Sequence, residues 1–301
     1  MRSRRAALAA PVLLTAFATG LVSACAPVED DEPEATTDSS GAASPDAAAD
    51  PAACVEDAPL VKDGQLTIGT DSPAYEPWFV DDDPTNGKGF ESAVAYAVAE
   101  ELGFSEDRVE WVTVPFNSSY APGEKTFDFD INQISITPKR AEVVDFSEGY
   151  YQAAQAVITL EDSPLAGIGS IEELADHRLG AQTGTTSLTA IRDVIQPAED
   201  PLVFEDTNAA KQALQNGQVE AILADLPTAF YISAVEIEGS TIIGQFQPET
   251  GQQEEFGMLF EKGNPLRDCV DAALAGLRED GTLADLEQEW LSDVVSVPTL
   301  D

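Results

Sequence analysis

The 301-residue chain is short of positive charge, of histidine and of cysteine. Fifteen Lys and Arg stand against 55 Asp and Glu, a formal net charge of -40. A surface that negative repels phosphates, which argues against nucleic acid or anionic lipid as a partner. There is one histidine, His177, in "LADHRLG" on the turn before a strand pattern. A lone imidazole in such a place is expected at the surface rather than in catalysis. The sequence contains no H-x-x-x-H, C-x-x-C or G-x-S-x-G, and Gly167-Ile168-Gly169 is not a phosphate loop, so neither a metal nor a cofactor is expected. Beyond the first 25 residues no apolar run approaches bilayer-spanning length, and no repeat at a fixed period is visible.

What is present begins with export. Arg2, Arg4 and Arg5 precede a short apolar core from Ala6 to Gly20, and "LVSAC" follows. That core is too short for a stable membrane span and reads as a signal peptide over residues 1–24. Small residues ending at Cys25 resemble the lipobox of bacterial lipoproteins, which implies a lipidated Cys25 and anchoring to the outer face of the cell membrane. An ordinary signal with a chance cysteine is the alternative. Residues 25–58 are rich in Ala, Pro, Ser, Asp and Glu, and carry no Lys or Arg. Such a composition cannot bury enough apolar surface to offset its ordering entropy, so an acidic, disordered stalk is expected there. The signal carries three arginines and no acid, so its loss makes the chain more negative still.

Cys54 and Cys269 remain once Cys25 is set aside. An even pair in an exported chain suggests one disulfide, between the end of the stalk and a late helix; two thiols are the other possibility. From Gln65 onward apolar strands alternate with helical patterns, which predicts an α/β protein. "QLTIGTD", "VEWVTV", "DINQISI", "QAAQAVITL" and "EEFGMLFE" read as strands, and "GFESAVAYAVAEELG" as a helix closed by Gly103. Two α/β series followed by a return segment suggest two lobes, 59–152 with 250–301 and 153–249, the chain crossing near Tyr150–Val157 and near Gly244–Glu255. A cleft between lobes is a preferred site for a small ligand.

Six ordered segments carry a resemblance: "IGTD…YEPWF", "GKGFE…AEELG", "FDFDINQISITPKRAEVVDFSEGYY", "LGAQTGTTS", "VEAILADLPTA" and "FGMLFEKGNPLRDCVDAAL". Together they resemble the family 3 solute-binding proteins that feed polar amino acids to ABC transporters, over about Gly64 to Leu291. The resemblance implies a two-lobed, type II periplasmic-binding-protein fold with a hinged ligand cleft. It further implies a free amino acid as ligand, a membrane permease as partner, a monomer, and a binder rather than an enzyme.

Site residues follow one at a time. Arg140, ending the S-x-T-x-x-R pattern, would pair with the ligand α-carboxylate, since a guanidinium fork grips a carboxylate bidentately. Ser135, and with it Asn132, Gln133 and Thr137, would supply hydrogen bonds, although Thr137 is equally placed to cap the turn at Pro138. Gly184, Thr185 and Thr186 would bring backbone and hydroxyls to the same carboxylate at a helix N-terminus. Asp225 matches the acidic partner of the α-ammonium, with N-capping of "LPTAF" as its other reading. Asp71 and Tyr75 match positions that contact ligand side chain or ammonium, Tyr75 standing one residue late. Trp78 and Phe116 are cleft aromatics or core. Pro122 and Gly123 break the helix that relatives carry between Phe116 and Phe127, so a loop is expected. The same fold serves a few dehydratases of cyclic carboxylates, an alternative that needs a general acid or base near Arg140. A sensor binding the same ligand is a third.

Overall fold

The computed structural model describes residues 50–56, 58–247, 253–291 and 297–300. The expected signal peptide, Cys25 and the stalk up to residue 49 lie outside the described residues. The last part of the expected stalk is not a featureless tether: Pro51–Val55 forms a short helix, α1, capped by the Asp50 side chain at Ala52 N (3.1 Å). It is fixed by a disulfide between Cys54 and Cys269, whose Cα atoms stand 5.5 Å apart.

The first series runs through β1 (Leu66–Thr70), α2 (Phe90–Glu101), β2 (Val109–Thr113), α3 (Phe116–Ser119), β3 (Phe129–Asp130), α4 (Pro138–Ala141) and β4 (Val144–Phe146). After β5 (Tyr151–Ala153) and β6 (Gln155–Leu160) the second series follows: β7 (Leu179–Gln182), α5 (Thr186–Ala190), β8 (Leu202–Phe204), α6 (Thr207–Gln215), β9 (Ala221–Asp225), α7 (Leu226–Tyr231) and β10 (Ser240–Phe246). The return is β11 (Glu254–Phe256), β12 (Leu259–Glu261), α8 (Leu266–Glu279) and α9 (Thr282–Leu291). These strands make two five-stranded sheets, β2-β1-β3-β12-β4 and β10-β6-β9-β7-β8, and a two-stranded ribbon β11-β5. In the ribbon, Tyr151 faces Phe256 and Ala153 faces Glu254, antiparallel, where the chain passes from the first sheet to the second and back.

Each lobe is built on apolar periodicity. Along α8 the buried residues are Leu266, Cys269, Val270, Ala273, Leu274 and Leu277, alternating steps of three and one that keep one helical face on the sheet. With α2 and α9 they cover Leu66, Ile68 and Phe129 of the first sheet, all completely buried. Each such side chain contributes about 1.5–3 kcal/mol by leaving water. The second sheet is covered on one face by the α5 region and on the other by α6 and α7.

Three strand expectations are corrected. "DINQISI" is a strand only at its start; beyond Asp130 the chain bends, and Gln133 adopts φ +47. "QAAQAVITL" is broken at Ala154, and "EEFGMLFE" at Gly257-Met258. A Cβ on Gly257 would meet Ile136 side-chain atoms at 2.8 Å, so the break is a close crossing of two segments. The lobe boundary also differs. Residues 297–300, assigned to the first lobe with the rest of 250–301, pair instead with the edge of β10 in the second. Gln245 N donates to Pro298 O (2.8 Å), Leu300 N donates to Gln245 O (2.9 Å), and buried Leu300 fills the notch left by Gly244.

The disulfide closes a separation of 215 residues within one lobe, constraining the unfolded chain. Replacing both cysteines by serine is expected to lower unfolding free energy by about 2–5 kcal/mol in chemical denaturation. An unchanged midpoint would show that α1 contributes nothing to the stability of this lobe.

Candidate functional site

The cavity between the two sheets is lined from the first lobe by Asp71, Tyr75, Phe116, Asn132, Gln133 and Ser135. The second lobe contributes Thr185, Thr186, Thr207, Asp225 and Thr228, and the connecting strands Gln155 and Phe256. Nine of the twelve ligand-binding residues read from the sequence are therefore brought together. Three are not, and each has a physical reason. Trp78 is completely buried, packed edge-on against Phe90, Tyr151 and Phe256, so it is core. Its indole still acts across the cleft, donating to Thr228 Oγ1 at 2.8 Å. Thr137 caps α4, its hydroxyl accepting from Arg140 N (3.2 Å). Arg140 sits one layer behind the cavity wall, 8% exposed.

Arg140 is held tightly. Its guanidinium donates to Ser135 O (2.7 Å) and, across the cleft, to Gly184 O (3.0 Å). It lies over the rings of Tyr120 (4.8 Å) and Phe116 (5.5 Å), two cation–π contacts with rings that themselves meet edge-on. No carboxylate stands within ion-pair distance of it among the described residues, and burial holds its pKa below the usual arginine value. The segment after Phe116 explains Tyr120. One helical turn, α3, replaces the expected loop before Pro122 and Gly123 end it. Lys125 Nζ donates to Ser119 O at 2.7 Å, tying the loop back on α3.

Asp225 ends β9 and starts α7, and both its readings meet in one side chain. Oδ1 accepts from Thr228 N and Oδ2 from Thr228 Oγ1, each at 3.0 Å, so it is an N-cap. It also lines the cavity, and burial raises its pKa to about 6 against the lowering effect of those two bonds. Thr185 caps α5 through Leu188 N (3.1 Å) and donates to Gln182 O (2.8 Å), which leaves Thr186 as the free hydroxyl of that turn. Thr186 Oγ1 is 3.1 Å from Ser135 Oγ, so hydroxyls of the two lobes touch.

Behind the first-lobe wall lies a carboxylate that the sequence reading missed. Glu91, in the first turn of α2, is completely buried and accepts from Gln133 N (2.7 Å), the Gln133 side-chain amide and the Tyr150 hydroxyl. This grip holds Gln133 at its positive φ, and burial pushes Glu91 up to about 7. An acid in the first turn of a helix ordinarily reads as a solvated dipole partner, so nothing local marks it as buried. Glu254 of β11 was also missed; it accepts from Ser135 Oγ (2.6 Å) and Gln155 Nε2 (2.8 Å), joining both lobes. Three cavity-lining polar atoms have no partner: Tyr75 Oη, Asn132 Nδ2 and Gln155 Oε1. His177 is not here; it pairs with Glu220 at 3.4 Å on the turn before β7.

Comparison with known proteins agrees with this geometry. The model of the bacterial extracellular solute-binding proteins, family 3, matches residues 66–293, and the chain belongs to that family. It is similar to the L-cystine-binding protein TcyA of Bacillus subtilis (strain 168), 28% identical over 242 residues, 79% of this chain and 85% of that one. Among solved structures it is similar to an ancestral arginine-binding protein bound to glutamine (TM-score 0.65, 28% identity, 77% of this chain and 100% of that one). It is also similar to AncCDT-1, an ancestral amino acid-binding protein that is a precursor of cyclohexadienyl dehydratase (TM-score 0.63, 31% identity, 75% and 95%). The fold is accordingly the two-lobed α/β fold of periplasmic amino acid-binding proteins.

Gly184 is where the lobes meet most closely. It has φ +79, and a Cβ there would overlap Asn117 Oδ1 and the Tyr120 hydroxyl. Gly184→Ala combines a left-handed backbone cost of about 1–2 kcal/mol with that clash. The variant is expected to stay folded but open, with a larger radius of gyration in small-angle scattering. An unchanged scattering profile would show that this contact does not hold the lobes closed.

Proposed function

We propose that this family 3 solute-binding protein captures a free, polar α-amino acid between its lobes and delivers it to the permease of an ABC transporter. The observation that carries the reading is a pair of opposite charges, Asp225 in the cavity wall on the second lobe and Arg140 just behind the wall on the first. Among the described residues Arg140 has no carboxylate and Asp225 no cation within ion-pair distance. A zwitterion supplies both. Its carboxylate takes the guanidinium face now turned to the Gly184 carbonyl, with the Thr186 hydroxyl, turned from Ser135, as a further donor, and its ammonium takes the free lone pairs of Asp225.

Binding begins on the first lobe, and the second closes over the ligand. Closure removes water and so strengthens both ion pairs. The cross-lobe bonds from Trp78, Ser135 and Arg140 each add a net of about 0.5–1.5 kcal/mol. Only the closed form aligns both lobe edges for a membrane protein. The export-like N-terminus supports a protein tethered outside the cell membrane by lipid on Cys25. The dehydratase reading has less support: the one histidine is engaged with Glu220, away from the cavity. The L-cystine-binding and arginine-binding relatives are binders by name.

A thermal-shift screen of the signal-free protein against the common amino acids tests the reading. A ligand at 100 times its Kd adds about 2.7 kcal/mol and a clear rise in Tm. Arg140→Ala is expected to remove the shift for every amino acid alike, whereas unchanged affinity would refute the site.

The ammonium pairs only with ionised Asp225, whose pKa is raised to about 6 in the empty site. Below that pH the site must release a proton before binding. Affinity should therefore be flat from about pH 8 to 7 and fall towards tenfold per unit below about 6 in calorimetric titrations. A flat profile down to pH 5 would exclude Asp225 as the ammonium partner.

A further inference from the structure

Glu254 stands behind the cavity wall but bonds to two residues that line it. It is 7% exposed on β11, its backbone fixed by the ribbon pairing with Ala153 and by Glu254 N donating to Gln247 Oε1 (3.0 Å). Both of its oxygens accept: Oε1 from Ser135 Oγ (2.6 Å) and Oε2 from Gln155 Nε2 (2.8 Å). No lysine, arginine or histidine lies within ion-pair distance of it among the described residues. A buried carboxylate held by neutral donors fixes their direction, because an ionised carboxylate accepts and never donates.

The consequence falls on Gln155, which is 1% exposed in the cavity wall. The two ends of a glutamine amide have nearly the same shape, and their partners decide which way the group faces. Here the Nε2 end is spent: one proton goes to Glu254 and the other faces Thr186 Oγ1 at 3.4 Å. The Oε1 end is buried without a partner. In the antiparallel pairing of β6 with β9, Gln155 stands directly opposite Asp225. Side chains of such a pair share one face of the sheet, with Cβ atoms about 4.5–5.5 Å apart. The unfilled acceptor therefore lies beside the carboxylate proposed to meet the ligand's ammonium. Asp225 already accepts from Thr228 N and Oγ1, while an ammonium brings several protons to place.

We infer that Gln155 Oε1 is a second acceptor for the ligand's α-ammonium, and that Glu254 is the positioning residue that turns this oxygen, rather than the amide N–H groups, into the cavity. This rests on the proposed capture of an α-amino acid with its ammonium at Asp225. Without Glu254 the Gln155 amide is free to turn over, and its N–H groups would then compete with the ammonium for Asp225. The same carboxylate takes the Ser135 proton, so that between Ser135 and Thr186 the Thr186 hydroxyl is the donor, available to turn to the ligand's carboxylate. One buried group on the ribbon thereby sets an acceptor at one end of the ligand and a donor at the other.

The test is calorimetric titration at neutral pH with two probes: the common amino acid, or cystine, that raises the wild-type Tm most, and the same acid without its α-amino group. The wild-type preference for the first over the second is expected to fall about tenfold in Gln155→Met, by loss of a hydrogen bond to a charged group. Glu254→Leu, which removes no group from the cavity wall, should lower the same preference. The double variant should lower it no further than Gln155→Met alone. It removes the buried carboxylate together with its donor, and replaces Gln155→Met if that single variant does not fold by its Tm. A merely structural loss would weaken both probes equally and leave the preference unmoved. A preference unchanged by loss of Gln155 would overturn the acceptor role. A preference unmoved by Glu254→Leu, or losses that simply add in the double variant, would overturn the positioning role. Wild-type protein that binds an amino acid no better than its analogue would remove the ammonium site altogether. Binding of no amino acid at all would refute the capture reading itself.

Discussion

Burying charge is the constraint on which this molecule turns. Arg140 is 8% exposed and is held by carbonyls and aromatic faces, with no carboxylate within ion-pair distance among the described residues. A guanidinium so placed is stable enough to fold, because hydrogen bonds and two rings replace part of its water, but its charge is not met by an ion pair. Asp225, Asp71 and Asp130 are acids with no cation within ion-pair distance among the described residues, and burial raises the pKa of each, making their charge costly to keep. The two lobes are conventional apolar cores. The space between them is where charges are desolvated without being paired, and a ligand of the right charge pattern is what completes it.

This places the division of labour along the chain. Strand ends and helix starts deliver the polar groups: Asp71 just after β1, Thr185 before α5, Asp225 between β9 and α7. Those are the points at which backbone donors and acceptors are free, so a side chain there serves a cap and a ligand at once. Thr185 and Thr137 are wholly used as caps, whereas Asp225 has lone pairs to spare. The contact of Arg140 with Phe116 and Tyr120 ties the guanidinium to the same segment that reaches Gly184 on the other lobe. Position of the cation and contact between lobes are thereby one structural event rather than two.

How far the sequence discloses this depends on the range of the interaction. Local signals read well: the apolar spacing of α2 and α8, Gly103 after α2, and the cap at Asp225 all follow from neighbours within four residues. The Cys54–Cys269 pair was legible because few cysteines leave few choices. Glu91 was not, since its partners Gln133 and Tyr150 are 42 and 59 residues away, and an acid on the first turn of a helix looks solvated. The break after Asp130 was hidden for the same reason: "DINQISI" has strand composition, and only the distant Glu91 carboxylate makes Gln133 turn. Trp78 shows the opposite error, an aromatic in a cleft motif whose ring packs into the first-lobe core while only its N–H reaches the cleft.

The pairing of residues 297–300 with β10 bears on how the lobes can move. Two strands, β5 and β11, form the ribbon through which the chain passes between sheets, and a hinge of two antiparallel strands twists easily about its long axis. The third passage differs in kind. α9 packs in the core of the first lobe, with Leu291 buried, and Leu300 is buried against Gly244 in the second, so the chain between them is pinned at both ends. The backbone hydrogen bonds at Gln245 thus join residues 297–300 to the second lobe independently of the ribbon. Closure, by contrast, is governed by the unpaired charges, so the attachment between the lobes and the contact across their cleft answer to different chemistry.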